Sequence, residues 1–201
     1  MIGPQCWKTQ NLNVGTKIDG SGDQTNNSII EKYCYNNIES NCDVYGGIYQ
    51  WAETVQYFNG ATNTTSWSPD PTGNVQGICP IGWHLPTDAE FSTLSTYLGG
   101  TDIAGGKMKE AGTIHWLTPN TGSTNSSGFT ALPGGERIPY SGVFGYLSQY
   151  AQFWTASEGS SYSAWDRYLT YGSEYLGTNN TSGGSTGNDK TSGFSVRCVK
   201  D

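Results

Sequence analysis

The sequence predicts an α+β domain, in which two helices pack on a twisted antiparallel sheet with long loops. Three observations support this fold class. A complete helix-start pattern lies near the middle of the chain, alternating aromatic and polar residues fill its last third, and Gly-rich turns separate these segments. The length of 201 residues suits one domain, which we expect to span residues 1–201.

The composition limits the kinds of partner that the protein can have. Aromatic and charged residues each make up 13% of the chain, so charged residues are about half as frequent as usual. The formal net charge is −7, and the ten Lys and Arg residues are scattered. Nucleic acid needs a concentrated cationic face, and a membrane span needs about 20 apolar residues. We therefore expect no nucleic-acid partner and no membrane span. A monomeric chain is also expected.

The first half of the chain predicts a strand followed by a helix. The segment "CWKTQNLNVGTKI" alternates around Trp7, Leu12 and Val14 and is typical of an early strand. After a polar loop, "DVYGGIYQWAETVQYF" has apolar residues at helical spacing, with Asp43 as the expected N-cap. These apolar positions are Val44, Ile48, Trp51, Ala52, Val55 and Phe58.

The second helix carries the clearest local signal. In "HLPTDAEFSTLSTYLGG", Thr87 and Glu90 fit a capping box, in which each side chain bonds the backbone N–H of the other residue. Apolar residues at helical spacing follow, and Gly99 and Gly100 predict the end of the helix.

The rest of the chain predicts short strands separated by turns. From residue 112 onward, "SSGFTALPGGERI", "FWTAS", "SAWDRYLTY" and "SGFSVRCVKD" are typical of strands and loops, and His115, just before Trp116, is also expected in a strand. Residues 177–193 are low in complexity and predict a mobile loop.

The five cysteines include no C-x-x-C pair, and the chain has only two histidines, so a structural zinc site has little support. The spacing favours a small loop closed by Cys34 and Cys42. A long-range bridge between Cys79 and Cys198 is also plausible and leaves Cys6 unpaired. The alternative, that all five cysteines are reduced and buried, stays open.

Several sequence blocks together resemble one family. "CPIGWHLPTDAEFSTL", "AGGKMKEAGTIHW", "SSGFTALPGGER", "FWTAS", "SAWDRYL" and "GFSVRCV" occur in the order seen in the Fibrobacter succinogenes major paralogous domain family. The match runs from about residue 5 to the end. The resemblance implies a C-type-lectin-like fold in the arrangement shared with formylglycine-generating enzymes, because "HLPTDAEF" and "GFSVRCV" are similar to their helix start and closing strand.

The resemblance also implies a location and a possible source of variation. Members are extracellular, cell-surface or virion-associated proteins of bacteria, archaea and their viruses. The same fold carries the variable proteins of diversity-generating retroelements, whose mutagenised codons lie just before the last strand. Residues 150–192 occupy that place here and are rich in Tyr, Ser, Asn, Asp, Thr and Gly. Whether they vary stays open, because ordinary members have a similar composition there.

Catalysis and metal binding find little support in the sequence. The formylglycine-generating enzymes use two cysteines in a copper-binding cleft, whereas Cys198 lies in the closing strand with no second cysteine near it. His84 and His115 are expected to be structural. The calcium-binding motifs of sugar-binding C-type lectins do not occur. We therefore expect no catalytic residues, no metal ligands and no cofactor, although a structural Ca²⁺ ion would suit the oxygen-rich loops.

Strand alternation in "SAWDRYLTY" divides the C-terminal aromatic residues into two sets. Trp165, Arg167 and Leu169 share one face, which we expect to be inward, and Asp166 and Tyr168 share the other, outward face. Phe153 and Trp154, in "FWTAS", are also expected in the core. Tyr gives a large amphipathic contact at low entropic cost, and Ser and Gly let a surface adapt. The predicted ligand-binding residues are Glu158, Ser160, Ser161, Tyr162, Asp166, Tyr168, Thr170, Tyr171, Ser173, Glu174, Tyr175 and Asn179.

The sequence thus favours a non-enzymatic ligand-binding domain. Its partner is expected to be a protein or a surface glycan, bound by the C-terminal region 150–192. Two alternatives remain: an enzyme of the formylglycine-generating type or another carbohydrate-active domain, and a structural module of a larger surface protein.

Overall fold

The computed structural model describes residues 1–179 and 187–201. Within them, the helices are α1 (Glu39–Tyr45), α2 (Trp51–Thr54), α3 (Asp88–Tyr97) and α4 (Thr101–Met108). The strands are β1 (Thr16–Lys17), β2 (Glu31–Lys32), β3 (Trp83–His84), β4 (Glu136–Arg137), β5 (Phe144–Gly145), β6 (Tyr150–Glu158), β7 (Ser163–Thr170), β8 (Gly177–Thr178), β9 (Asn188–Asp189) and β10 (Val199–Lys200). The predicted α+β class is confirmed.

The largest sheet is built around the β6–β7 hairpin. β6 and β7 are antiparallel, and both β8 and β9 pair with the other edge of β7. The remaining strands form two-stranded sheets, antiparallel for β3–β10 and β4–β5 and parallel for β1–β2. The predicted binding region 150–192 therefore provides all four strands of this sheet.

Both faces of the β6–β7 hairpin are covered by hydrophobic core. On one face, Phe153 and Leu169 pack in a cluster with residues of α3 and α4. On the other, Trp154 and Ala164 pack in a second cluster with α2 and the Cys79–Cys198 disulfide. The expectation that Phe153 and Trp154 are core residues is confirmed, since both are fully buried.

The predicted first helix is wrong. Asp43 lies inside α1, which begins after Ile38, and the chain leaves the helix at Gly46, where φ is 83°. Ile48 and Tyr49 then pair with other segments as isolated bridges. The apolar spacing was misleading because two different structures bury these residues. Some are buried in short helices and others by isolated bridges to distant segments, so a continuous helix is not needed.

The predicted second helix is confirmed in detail. The Thr87 hydroxyl accepts from the Glu90 N–H at 3.2 Å, and the Glu90 carboxylate accepts from the Thr87 N–H at 2.8 Å. The helix ends at Tyr97 with Leu98 as its C-cap, and Gly99 follows with φ 100°. The sequence analysis missed α4, which contains Gly105 and Gly106. A Cβ at Gly105 would lie 2.6 Å from the Tyr175 carbonyl oxygen, so close packing explains this glycine.

Three local predictions need correction. The early segment forms no continuous strand, although Trp7 bridges Val199 and backbone hydrogen bonds join the segment to the C-terminal segment. His115 lies in a bend rather than in a strand. Of the predicted mobile loop 177–193, the flanks form β8 and β9, while residues 180–186 lie outside the described residues.

Both expected disulfides are present. Cys34 and Cys42 close a short loop, and Cys79 and Cys198 join positions 119 residues apart. Cys6 is free and partly buried.

Buried cations tie the loops together. The Lys109 ammonium donates to the carbonyls of Thr121, Thr170 and Ser173 at 2.7–2.9 Å. The fully buried Arg197 donates to loop carbonyls in the same way. Such contacts satisfy backbone groups that a helix or sheet would otherwise pair.

Candidate binding surface

The structure distributes the predicted ligand-binding residues over three places along β7. One group lies at the β6–β7 turn, one beside the strand itself and one in the loop after it. β7 has eight residues, so the turn and the loop lie roughly 25 Å apart at opposite ends of the strand. The predicted residues therefore do not form one compact patch.

At the β6–β7 turn, a buried ion pair fixes the backbone. The Lys190 ammonium, which is fully buried, bonds the Glu158 carboxylate and the Ser161 carbonyl and lies 4.3 Å from the centre of the Trp51 ring. The Glu158 carboxylate is therefore paired with Lys190 inside the protein. Tyr162, at 61% exposure, extends from this turn into solvent.

The loop after β7 is also partly internal. Tyr171 packs against the core, and Lys109 holds the carbonyls of Thr170 and Ser173. Glu174 and Tyr175 are exposed. Only these two members of the group present their side chains freely to solvent.

The expected outward position of Asp166 is wrong, because this side chain is fully buried. Asp166 pairs with Trp154 across the hairpin, so it lies on a face that the second hydrophobic cluster covers in part. Its oxygens accept from the Asn179 amide at 2.9 and 3.0 Å and from the Asn188 amide at 3.0 Å. The sequence argument assumed that one face of the sheet is open to solvent, and here neither face is fully open.

The inward set was predicted more accurately. Leu169 is fully buried, and the Arg167 guanidinium bonds the Asp88 carboxylate at 2.7 Å and the Ser92 hydroxyl at 2.8 Å. Arg167 thus has the carboxylate partner that its inward position requires. Trp165 is only half-buried and joins neither core cluster, so its assignment to the core was wrong.

The half-buried Tyr168 forms one wall of a pocket of about 270 Å³ on the β6–β9 sheet. The pocket is lined by Tyr150, Gln152, Tyr168, Asn179 and Asn188. Tyr168 and Asn179 belong to the predicted set. Tyr150, Gln152 and Asn188 do not, although a hairpin drawn between "YAQFWTAS" and "SAWDRYLT" would have placed Gln152 beside Tyr168.

Aromatic rings extend the pocket into a longer surface. The Tyr150 ring lies 6.5 Å from that of Tyr168, and the Tyr146 ring lies 5.2 Å from that of Tyr150. Tyr146 is 47% exposed. We call Tyr146, Tyr150 and Tyr168, with the pocket they flank, the tyrosine surface. It is open to solvent and suited to contact another molecule.

Gly177 sets the position of the Tyr168 ring. The two residues pair across β7 and β8, and a Cβ at Gly177 would lie 2.1 Å from the Tyr168 ring. The ring therefore occupies the space of the missing side chain. A residue other than glycine here would displace the wall of the pocket.

Two carboxyl groups lie behind the residues that line the pocket: Asp166 accepts hydrogen bonds from Asn179 and Asn188, and Glu136 is close to Gln152. Burial raises the pKa of Asp166 from its usual 3.8 to about 7, against the opposing effect of hydrogen bonds from Asn179 and Asn188. Burial also raises the pKa of Glu136, which neighbours Asp166. The nearby Gln152 amide opposes the effect of burial and lowers the pKa of both carboxyls.

The histidines serve internal contacts. His84 is buried, with Nδ1 2.7 Å from an Asp201 carboxylate oxygen and Nε2 2.8 Å from a Glu90 oxygen. His115 Nδ1 lies 2.9 Å from the Glu110 carboxylate.

A cavity of about 290 Å³ near Glu110 lies outside region 150–192 and includes Asn11, which bonds Arg197.

Among residues 1–179 and 187–201, no three His, Cys, Asp or Glu side chains are grouped so that they could hold a metal ion. No helix in this described part of the chain is long and apolar enough to cross a membrane.

Comparison with known proteins identifies the family. The family model of the Fibrobacter succinogenes major domain matches residues 1–200. The chain belongs to this family. No curated protein and no solved structure matches it significantly.

Proposed function

We propose that this Fibrobacter succinogenes major domain is a non-enzymatic ligand-binding domain, and that the tyrosine surface contacts the ligand. The observation that carries the proposal is the pocket on the β6–β9 sheet, flanked by a row of tyrosine rings of which Tyr150 and Tyr168 lie within the predicted region. The ligand is a protein or a surface glycan. Tyrosine rings and side-chain amides offer both apolar contact and hydrogen bonds to either class.

The scaffold proposed for this surface is the C-type-lectin-like fold. Two features support it: α3 and α4 pack on the β6–β7 hairpin, and the closing segment pairs with β3 at the start of the "HLPTDAEF" block. We also propose an extracellular or cell-surface location. Two disulfides support this location, because they persist in oxidising environments.

An enzyme of the formylglycine-generating type is the less supported alternative. Its copper chemistry needs two cysteine thiolates, and the late cysteine of this chain, Cys198, is bonded to Cys79. The histidines are each engaged with a carboxylate.

Binding measurements test the proposal. The purified chain would be applied to protein and glycan arrays together with Tyr168→Ala and Tyr175→Ala, and Tyr97→Ala on α3 would serve as the matched exposed control. We expect bound signals to fall in Tyr168→Ala and to stay unchanged in Tyr97→Ala, while Tyr175→Ala tests the adjoining loop. A wild-type chain that binds nothing would favour a structural module, and an unchanged profile in both test variants would show that these rings cover the rim of the core and do not contact the ligand.

Retroelement diversification of region 150–192 has a separate, genomic test. We propose that variation, where present, falls on the side chains of Tyr150 and Tyr168 and spares Arg167 and Leu169, which are buried. The expected finding is a near-identical copy of the coding region that differs only at adenines, near a reverse-transcriptase gene. Finding neither would refute diversification and leave the binding proposal intact.

A further inference from the structure

Two carboxyl groups beneath the pocket have no cationic partner. Asp166 is fully buried and Glu136 neighbours it, yet neither has a Lys, Arg or His within ion-pair distance among the described residues. Arg167 on the opposite face of β7, in contrast, is paired with Asp88. A buried carboxylate without a compensating charge is unfavourable, so a cation that enters the pocket would gain a strong electrostatic contact.

The pocket also contains an unsatisfied hydrogen-bond acceptor. Gln152 is 6% exposed and lines the pocket, and its Oε1 atom has no hydrogen-bond partner in the described structure. Buried polar atoms are nearly always paired, so this atom is available to accept a hydrogen bond from a molecule in the pocket. A ligand with an N–H or O–H group would supply it.

The walls of the pocket favour a cation over a neutral donor. Tyr150 and Tyr168 flank the pocket with their rings 6.5 Å apart, and an aromatic face attracts an ammonium group placed within about 6 Å of the ring centre. A neutral sugar could satisfy Gln152 but would leave the carboxyl groups uncompensated. The carboxyl groups behind the pocket, the unpaired acceptor of Gln152 and the aromatic walls together match a cationic group that carries N–H donors.

We propose that the pocket binds a primary alkylammonium group, supplied by a lysine side chain of a polypeptide or by a free polyamine. The ammonium would donate to Gln152 Oε1, lie against Tyr150 and Tyr168, and face the negative charge of Asp166 and Glu136. This inference deepens the proposed function and rests on it, because it assigns the chemistry recognised by the same surface.

Binding of a cation is linked to the protonation of Asp166. Because burial raises the pKa of Asp166 to about 7, an ammonium must displace the proton at lower pH. Affinity should therefore increase as the pH rises from 6 to 8. The titratable groups that influence Asp166 and its neighbour Tyr168 come from β4, β6, β7 and the following loop, and they are Glu136, Tyr150, Tyr168 and Tyr175.

Calorimetry with matched small probes tests the inference. The probes are N-acetyl-lysine methylamide, putrescine, the neutral N-acetyl-norleucine methylamide and a panel of methyl glycosides. We expect the two ammonium probes to bind at least about tenfold more tightly than the neutral analogue, and more tightly at pH 8 than at pH 6. The ammonium probe that binds more tightly shows whether a lysine side chain or a free polyamine supplies the group.

Variants separate a specific site from general attraction to an acidic protein. Asp166→Asn keeps the size of the side chain and should weaken ammonium binding about tenfold and remove most of its pH dependence. Tyr168→Leu should weaken it as well, whereas Tyr97→Leu on α3, an exposed tyrosine outside region 150–192, should have no effect. Circular dichroism would establish that each variant folds. A quaternary trimethylammonium probe, which lacks N–H donors, should bind more weakly than the primary amine even to the wild-type protein.

The outcomes distinguish the inference from the proposed function. Equal binding of the neutral analogue, or binding of glycosides without ammonium probes, would overturn the inference and leave a ligand-binding surface in place. A surface that binds neither these probes nor any array component would overturn both.

Discussion

At the scale of single residues, buried charged groups determine much of this structure. Lys190 shows the principle, because its fully buried ammonium bonds the Glu158 carboxylate and the carbonyls of Thr62, Thr65 and Ser161. One side chain thus joins the β6–β7 turn to the loop after α2.

Replacing this lysine should be strongly destabilising. Lys190→Met removes the cation and leaves Glu158 and several carbonyls without their partner, which should lower the free energy of unfolding by about 3–5 kcal/mol. Urea denaturation measures this loss. Lys200→Met, at an exposed position, is the matched control and should change stability by less than about 0.5 kcal/mol. Equal stability of the two variants would contradict the role given to Lys190.

Asp166 predicts an unusual dependence of stability on pH. Its pKa rises from 3.8 in the unfolded chain to about 7 in the folded protein, so the folded protein holds a proton between these values that the unfolded chain has released. The free energy of unfolding should therefore fall as the pH rises from 4 to 7, by up to about 4 kcal/mol. Glu53 and Glu136, whose pKa values burial also raises, add to the same trend.

Denaturation at pH 5 and at pH 8 checks this dependence. We expect the wild-type protein to be more stable at pH 5, and Asp166→Asn to show a clearly smaller difference between the two conditions. A wild-type protein that is more stable at pH 8 would show that Asp166 is ionised without penalty.

At the scale of elements, the β6–β7–β8 sheet shapes the pocket through one glycine. Gly177→Ala places a methyl group against the Tyr168 ring, so it should destabilise the protein by about 1–3 kcal/mol and reduce ligand binding. Gly172→Ala is the control, because no atom outside its immediate neighbours lies within 4 Å of the added methyl group. Thermal unfolding and array binding of both variants measure the effect. A fully stable Gly177→Ala that binds normally would show that the Tyr168 position is not critical.

The elements differ in how far sequence alone identified them. α3 was predicted closely because its capping box and apolar face are local properties of ten residues. The supposed helix over residues 43–58 failed because the burial of Ile48 and Tyr49 comes from bridges to Tyr33 and Phe194, which are distant in sequence. Local periodicity cannot separate these two causes of burial.

At the scale of the whole molecule, covalent and ionic links compensate for sparse regular structure. The Cys79–Cys198 disulfide closes a loop of 119 residues and packs within the second core cluster, whereas Cys34–Cys42 closes only eight. Loop-closure entropy makes the longer link the more stabilising one.

The two disulfides should therefore differ in their effect on stability. Replacing Cys79 and Cys198 with Ala should cost about 5 kcal/mol, and replacing Cys34 and Cys42 about 2–3 kcal/mol. Chemical denaturation of the two double variants compares them directly. A larger loss for the Cys34 and Cys42 pair would indicate that local packing, rather than loop length, controls their contribution.

The sequence by itself determined the α+β class, the α3 helix, the hairpin strands and the pairing favoured for the cysteines, because each depends on local pattern or on spacing along the chain. Only the tertiary structure decided which tyrosines meet at the pocket and that Asp166 lies beneath it. Burial of Asp166 follows from protein on both faces of β7 and from Asn179 and Asn188 on neighbouring segments. Alternation assigns a residue to a face of a strand, but contacts between distant segments determine what covers that face.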